Sequence, residues 1–157
     1  MSAIFPRCNS KDQQVLLNKI VGMISEDSLI LRRSLAKHMG TLCKYVKKEI
    51  LLHGYIKQFK ILAIDDSDSV RIICMESLID IAKCLNSEEN KSHLIPIIIQ
   101  LTGDKSWKVK LHLAKNFADL AEALGPDICE NPLFSIFSTL LRDLENEVRI
   151  EAVKSLR

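Results

Sequence analysis

The feature that most constrains this chain is an internal repeat with a period of 39 residues. Four aliphatic anchors recur at this spacing: Leu31, Val70, Val109 and Val148. A base follows each anchor directly, and an acid precedes each anchor by five positions. The bases are Arg32, Arg71, Lys110 and Arg149, and the acids are Glu26, Asp65, Asp104 and Asp143. Because these columns stay in register through four copies, one structural unit is repeated four times.

Each unit has the apolar spacing of two amphipathic helices joined by a short polar corner. In the third unit, Leu94, Ile98 and Leu101 follow helical spacing before the corner, and Val109 and Leu113 continue it afterwards. Only five Gly and four Pro are present, too few for the many tight turns of an all-β fold. The predicted first helices cover residues 11–24, 49–63, 88–102 and 132–142, and the second helices cover 29–46, 69–85, 107–124 and 147–157.

A repeated two-helix unit of about 40 residues is typical of HEAT and armadillo arrays. The acid and base around the corner, with Pro96 inside a first helix, favour HEAT. The sequence therefore predicts an all-α fold: an α-solenoid, or superhelix, of about four HEAT repeats with two antiparallel helices each. The predicted repeats are residues 11–46, 49–85, 88–124 and 132–157 of a single array. We expect this array to be a segment of a longer solenoid, since its last repeat has no polar closing helix.

The sequence contains no arrangement of residues that predicts catalysis. His38, His53, His93 and His112 are not at metal-binding spacings, and the chain lacks a glycine-rich phosphate loop and a GxSxG motif. The five cysteines are scattered and odd in number, which predicts buried thiols and a reducing compartment. The net charge of +2 gives no argument for nucleic acid or an anionic membrane. We expect no catalytic residue, metal, cofactor or small-molecule substrate.

The acid and base columns have a structural and a functional interpretation. Residues in both columns could serve catalysis or nucleic-acid binding. The structural interpretation is stronger, because a corner acid and a base six residues later can hydrogen-bond within and between stacked repeats. The acids also precede helix N-termini, where the helix dipole favours negative charge. We therefore predict a structural ladder from these eight residues.

Several stretches resemble the scaffold (structural A) subunit of the type 2A serine/threonine protein phosphatases. They are "DDSDSVR", "DKSWKVK" followed by "AKNFADLAEALGP", "LENEVRIEAV" and "FPRC" near the start. The resemblance spans nearly the whole chain and is best to the middle repeats of that family. Lys108 and Lys110 stand where the family favours Arg, and Leu31 stands where it favours Val. A lysine cannot supply the two-pronged contacts of a guanidinium.

The resemblance implies a non-catalytic platform whose corners bind a B-type regulatory subunit, with the catalytic subunit binding mainly to repeats outside this segment. Trp107 would be an anchor, since tryptophan is enriched at interface hot spots, or it would fold back over a neighbouring corner. The partner-binding residues implied in this way are Asp27, Ser28, Asp66, Ser67, Asp68, Asp104, Lys105, Ser106, Trp107, Lys108, Glu145 and Asn146. The implied location is the cytoplasm, with the nucleus as a further site.

Two other functions remain open at this stage. A nucleic-acid-binding HEAT-like protein, such as a DNA glycosylase, would need a dense basic stripe on its second helices, whereas those of this chain include Glu76, Asp80, Asp119 and Glu122. A HEAT-type transport or adaptor protein would share the solenoid but would have no reason to carry "DKSW".

Overall fold

The computed structural model describes residues 7–156, with the side chain of Ser10 left undescribed. Phe5 and Pro6 of the "FPRC" stretch therefore lie outside the described residues. Within that range the chain is helical and contains no strand, which confirms the predicted all-α class. The helices are α1 Ser10–Ile24, α2 Leu29–Cys43, α3 Lys48–Ile50, α4 Ile56–Ala63, α5 Asp68–Cys84, α6 Ser87–His93, α7 Ile95–Thr102, α8 Trp107–Lys115, α9 Phe117–Leu124, α10 Pro126–Ile128, α11 Phe134–Leu140 and α12 Asn146–Lys154.

The helices form four hairpins, one for each sequence repeat. The first hairpin pairs α1 with α2. In the second, α3 and α4 are joined by a π-helical turn at Leu51–Tyr55 and precede α5. In the third, α6 and α7 precede α8 and α9. In the fourth, α10 and α11 precede α12. Because each corner has only four or five residues, the two helices that it joins run antiparallel.

The chain forms two compact units, which divide after Ile81. In the first unit, α4 packs on both α1 and α2, so the second hairpin stacks on the first. In the second unit, α12 packs on α8 and α11 packs on α7, so the fourth hairpin stacks on the third. Serial stacking of hairpins within each unit is the packing that the repeat period predicts. The predicted repeat limits and the single longer array stay predictions.

The anchor columns supply the core. Val70, Val109 and Val148 are fully buried, and so are Phe59 and Leu62 of the second hairpin. Leu31, the anchor of the first hairpin, is only half-buried. The periodic aliphatic residues therefore face the interior, and their burial is the main source of stability for these short helices.

Two predicted helices are interrupted in the structure. The sequence predicted that one of them is continuous and that the other is kinked. The second helix of the third repeat, predicted over 107–124, is interrupted at Asn116, whose side-chain amide donates to the His112 carbonyl at 2.8 Å. An Asn side chain competes with the backbone in this way, and the helical period does not reveal it. The expected break near Pro96 occurs at Leu94, between α6 and α7.

Helix ends differ from the prediction in two hairpins. The helix predicted to reach residue 46 ends at Cys43, and Tyr45 and Val46 close the turn with backbone bonds to Leu42 and Cys43. The helix predicted over 132–142 is limited to Phe134–Leu140, because the backbone of Asn131 is extended and separates α10 from α11. The stop predicted at Gly125 is confirmed, since Gly125 has a positive φ of 86° that other residues rarely adopt.

Candidate functional site

The corners between the paired helices carry the residues that the repeat singles out. The four corners are residues 25–28, 64–67, 103–106 and 141–145. In three of them the acid folds onto the backbone two residues later. The backbone N–H groups of Ser67, Ser106 and Glu145 donate to Asp65, Asp104 and Asp143 at 2.9, 2.8 and 3.0 Å. An aspartate that closes such a turn fixes the backbone just before the next helix.

The corner of the first hairpin is built differently. Glu26 is exposed and forms no ion pair with any residue of the described range. Instead, the Ser28 hydroxyl caps α2 by accepting from the Leu31 N–H at 3.4 Å. Glutamate is one carbon longer than aspartate, which places its carboxylate too far out for the tight turn seen in the other corners.

The arginines of the base column hold the corner of their own hairpin. Arg71 donates to the carbonyls of Asp65 and Asp66 at 2.6 and 3.1 Å. Arg149 donates in the same way to Asp143 and Leu144, at 2.5 and 3.0 Å. Arg32 reaches the Glu26 carbonyl at 3.1 Å. These bonds satisfy corner carbonyls that the helices leave without partners.

The same column also links stacked hairpins. Within the first unit, Arg32 Nε lies 2.7 Å from Asp65 Oδ2 of the second hairpin. Within the second unit, Lys110 Nζ lies 2.6 Å from Asp143 Oδ2 of the fourth hairpin. Only 8% and 7% of the two aspartate side chains is exposed, so water screens these pairs less than ordinary surface pairs. Within each unit, the structure thus places the base of the earlier hairpin on the acid of the later one.

The ionisation of Asp143 follows from this arrangement. Burial acts to raise the pKa of its carboxyl group, but the Lys110 ammonium, the Glu145 N–H and the charge of Arg149 together act more strongly in the opposite direction. The net effect holds the pKa of Asp143 below its usual range. The carboxylate therefore stays ionised at neutral pH and serves as a structural acceptor rather than as a proton donor.

The implied partner-binding residues divide into an exposed and a half-buried set. Half-buried are Ser67, Asp68, Asp104 and Ser106. Exposed are Asp27, Ser28, Asp66, Lys105, Trp107, Lys108, Glu145 and Asn146. Trp107 begins α8 with 39% of its surface exposed, beside the exposed Lys105 and Lys108. Apart from Ser28, which caps α2, the exposed set presents side chains that a partner can contact without disturbing the corner.

Metal-binding clusters and membrane-spanning helices are both absent from the part of the chain that the structure describes. No three His, Cys, Asp or Glu side chains converge there into a group that could hold a metal ion. No described helix is long and apolar enough to cross a membrane. All five cysteines are thiols, with Cys43 and Cys74 buried, and burial raises the pKa of both Cys74 and Cys129 above the usual thiol range.

Comparison with known proteins places the repeat in a family, although no family model matches the chain. The regulatory A subunit of protein phosphatase PP2A from Schizosaccharomyces pombe is 30% identical over 107 residues, which is 68% of this chain and 18% of that protein. The protein of the same name from Saccharomyces cerevisiae is 28% identical over 108 residues, 63% of this chain and 17% of that protein. The chain is a homologue of the PP2A regulatory A subunits.

A third relative agrees with this assignment. A probable serine/threonine-protein phosphatase PP2A regulatory subunit of Caenorhabditis elegans is 30% identical over 96 residues, which is 61% of this chain and 16% of that protein. The chain thus spans less than a fifth of the length of these PP2A regulatory subunits. All three are named as regulatory subunits rather than catalytic ones.

Two exposed apolar side chains at the corners were not predicted from the sequence. Leu144 is 94% exposed in the fourth corner, and Ile30 is 82% exposed at the start of α2. At the position of Leu144 the other three hairpins carry Asp27, Asp66 and Lys105. This single apolar residue in an otherwise polar column is the signal that could have identified it.

Proposed function

We propose that this chain is part of a non-catalytic scaffold of a PP2A-type serine/threonine phosphatase and that its corners bind a B-type regulatory subunit. The observation that carries the proposal is the repeated corner. In each compact unit, the ladder bonds hold two successive corners together and leave their outer side chains exposed. The names of the relatives support the phosphatase assignment.

The structure gives a physical reason why corners suit this role. Their backbones are held by the aspartate turns and by the arginine clamps, so little conformational entropy is lost when a partner binds. The exposed set combines an aromatic side chain with charges of both signs. Such a surface supplies the hot-spot aromatic and the polar rim found in protein interfaces.

Trp107→Ala tests the proposal directly. Truncation of a hot-spot tryptophan costs roughly 2 kcal/mol, so we expect the Kd for a purified B-type regulatory subunit to rise about 30-fold. Surface plasmon resonance with the immobilised chain measures this change. Because the indole is partly exposed at the start of a helix, the variant should keep its fold, which circular dichroism verifies.

Ile99→Ala is the matched control. Ile99 is a large apolar residue of α7 with 53% of its surface exposed, and it lies one helical turn before the corner, outside the implied partner-binding residues. We expect this variant to bind as the unchanged chain does. Equal affinity of all three proteins would contradict an anchoring role for Trp107, and absence of binding by the unchanged chain would contradict the proposed function itself.

The remaining parts of the proposal concern partners and location. A phosphatase catalytic subunit would bind mainly to repeats outside this segment, and no small molecule, nucleic acid or membrane is involved. The five thiols favour a reducing compartment, the cytoplasm or nucleus. A nucleic-acid function is disfavoured because Lys44, which with Lys47 and Lys48 forms a small basic cluster near the end of α2, is paired with Asp80 at 3.2 Å.

A further inference from the structure

The corners of the second unit expose a patch of two apolar side chains and two lysines. Leu144 in the fourth corner is 94% exposed, and Trp107 directly after the third corner is 39% exposed. Lys105 and Lys108 are exposed on either side of Trp107 in the sequence. We call this surface, formed by Lys105, Trp107, Lys108 and Leu144, the corner patch. An isolated exposed apolar residue is ordinary on a protein surface, whereas a group of them marks a contact with another molecule.

Stacking of hairpins does not account for the exposure of the corner patch. In the repeat, the position of Leu144 corresponds to Asp27 of the first hairpin and Lys105 of the third. Both of those hairpins carry another hairpin stacked on them within their unit, and both residues remain exposed. Trp107 likewise remains partly exposed although the fourth hairpin packs on α8. The corner patch therefore lies on a side of the unit that a stacked hairpin leaves open.

One ladder bond brings the two apolar side chains of the patch together. Trp107 and Lys110 are three residues apart on α8, so they lie on the same face of that helix. Lys110 Nζ binds Asp143 Oδ2 at 2.6 Å, and Leu144 directly follows Asp143. Because packed helices lie about 8–10 Å apart, a single partner surface can contact both Trp107 and Leu144.

The backbone that carries Leu144 is fixed on both sides. Arg149 donates to the Leu144 carbonyl at 3.0 Å, and the Glu145 N–H donates to Asp143 at 3.0 Å. A partner that binds this leucine therefore orders little backbone, and only one short side chain loses freedom. A side chain that projects almost completely from a fixed corner fits a pocket of the partner, as hot-spot residues do.

The charges of the corner patch select the chemistry of the partner. Neither Lys105 nor Lys108 forms an ion pair within the described residues, so their ammonium groups are free to bind carboxylates. Glu145 and Glu147 are exposed beside Leu144, and they repel a nucleic-acid backbone, which carries a negative charge at every nucleotide. A folded protein, in contrast, can present acids to the third corner and an apolar pocket to the fourth.

We propose that Trp107 and Leu144 are two anchors of one contact with the regulatory subunit. The partner supplies an apolar pocket for Leu144 and carboxylates for Lys105 and Lys108. This inference rests on the proposed function and adds to it the chemistry of the partner surface. Leu144 determines where on the array that pocket binds, since the other three corners carry a charged residue at its position.

Leu144→Ser tests the apolar anchor. Surface plasmon resonance with the immobilised 157-residue chain measures the Kd for a purified B-type regulatory subunit, and we expect this Kd to rise about tenfold. The variant should keep its fold because the side chain is 94% exposed, which circular dichroism verifies. Ile99→Ser is the matched control, since it removes another exposed apolar side chain that lies outside the corner patch, and its Kd should be unchanged.

Lys105→Glu tests the charged part of the contact. Because it places a carboxylate opposite the acids of the partner, we expect the Kd to rise at least about tenfold and to depend less on salt concentration. Lys83→Glu makes the same change in net charge at an exposed position near the end of α5, at the opposite end of that helix from its corner. This control should leave the Kd unchanged.

The outcomes distinguish this inference from the function on which it rests. If the unchanged chain does not bind, the proposed function is contradicted and the inference is overturned with it. If the unchanged chain binds and either Leu144→Ser or Lys105→Glu has the same Kd, only the inference about the partner surface is overturned. Binding of a labelled single-stranded oligonucleotide that Lys105→Glu abolishes would also overturn it, because the lysines would then serve a nucleic acid.

Discussion

A very close approach of two helices in the first unit makes Gly40→Ala the most informative substitution for stability. Gly40 lies on α2, and a Cβ atom there would stand 2.6 Å from the Ser77 Cα and 3.0 Å from the Asp80 Cβ on α5. Carbon atoms pack at about 3.5–4.0 Å, so the two helices would have to separate by roughly 1 Å. The Ser77 hydroxyl, which accepts from the Gly40 N–H and donates to the Ala36 carbonyl, would lose its geometry.

The magnitude follows from three contributions. Overpacking costs about 1–3 kcal/mol, and disruption of the Ser77 hydrogen bonds costs about 1 kcal/mol. Replacing a mid-helix glycine by alanine returns about 0.5–1 kcal/mol. We therefore expect a net loss of about 1–3 kcal/mol in the free energy of unfolding. Urea denaturation followed by far-ultraviolet circular dichroism measures it.

Two further variants separate the steric clash from the helix propensity of alanine and from the loss of the Ser77 hydrogen bonds. Gly22→Ala changes a glycine of α1 whose added Cβ would meet no atom within 4 Å, so only the helix preference remains and we expect a gain of up to about 1 kcal/mol. Ser77→Ala removes the hydrogen bonds without adding an atom and should cost about 1 kcal/mol. If Gly40→Ala were as stable as the unchanged chain, the close approach of α2 and α5 would not limit the packing, and the reasoning would be refuted.

Two other predictions concern the ladder. Lys110→Arg should stabilise the chain by about 0.5–1.5 kcal/mol in urea denaturation, because a guanidinium can hold Asp143 and also the carbonyls of its own corner, as Arg32 does with Asp65 and Glu26; an unchanged midpoint would contradict this. Asp143→Asn should flatten the dependence of the melting temperature on pH. The lowered pKa of Asp143 stabilises the fold above the unfolded value of about 4, and this contribution is lost as the pH falls through the folded value. An equal acid-induced loss of melting temperature in both proteins would show that the Lys110 pair does not contribute.

Much of the fold was predictable because the same spacing of apolar and charged residues occurs four times. Apolar columns such as Val70, Val109 and Val148 mark the buried side of each helix, and their burial is confirmed. The corners fall where the acid column predicts a polar turn. Irregularities such as the break at Asn116 were not predictable, because a side-chain hydrogen bond to a single carbonyl has no periodic signature.

The sequence also did not predict which individual polar side chains are buried. Asn90 begins a motif that matches a glycosylation site, but its side chain is 1% exposed and donates to the Ala82 carbonyl at 3.1 Å. One repeat later, Cys129 makes the equivalent contact with the Ala121 carbonyl at 3.4 Å. Amide and thiol share a position here because the surrounding backbone, rather than the side-chain type, creates the need for a donor.

The sequence by itself determined that this protein is a series of helical hairpins with an acid before and a base after each corner, because those features are set by spacing along one chain. Only the tertiary structure decided where each charge goes. Arg32 forms an ion pair with Asp65 of the next hairpin, whereas in its own hairpin it donates only to the backbone carbonyl of Glu26. That choice depends on the distance between stacked helices, which residues such as Gly40 and Ser77 set by how closely they let α2 and α5 approach.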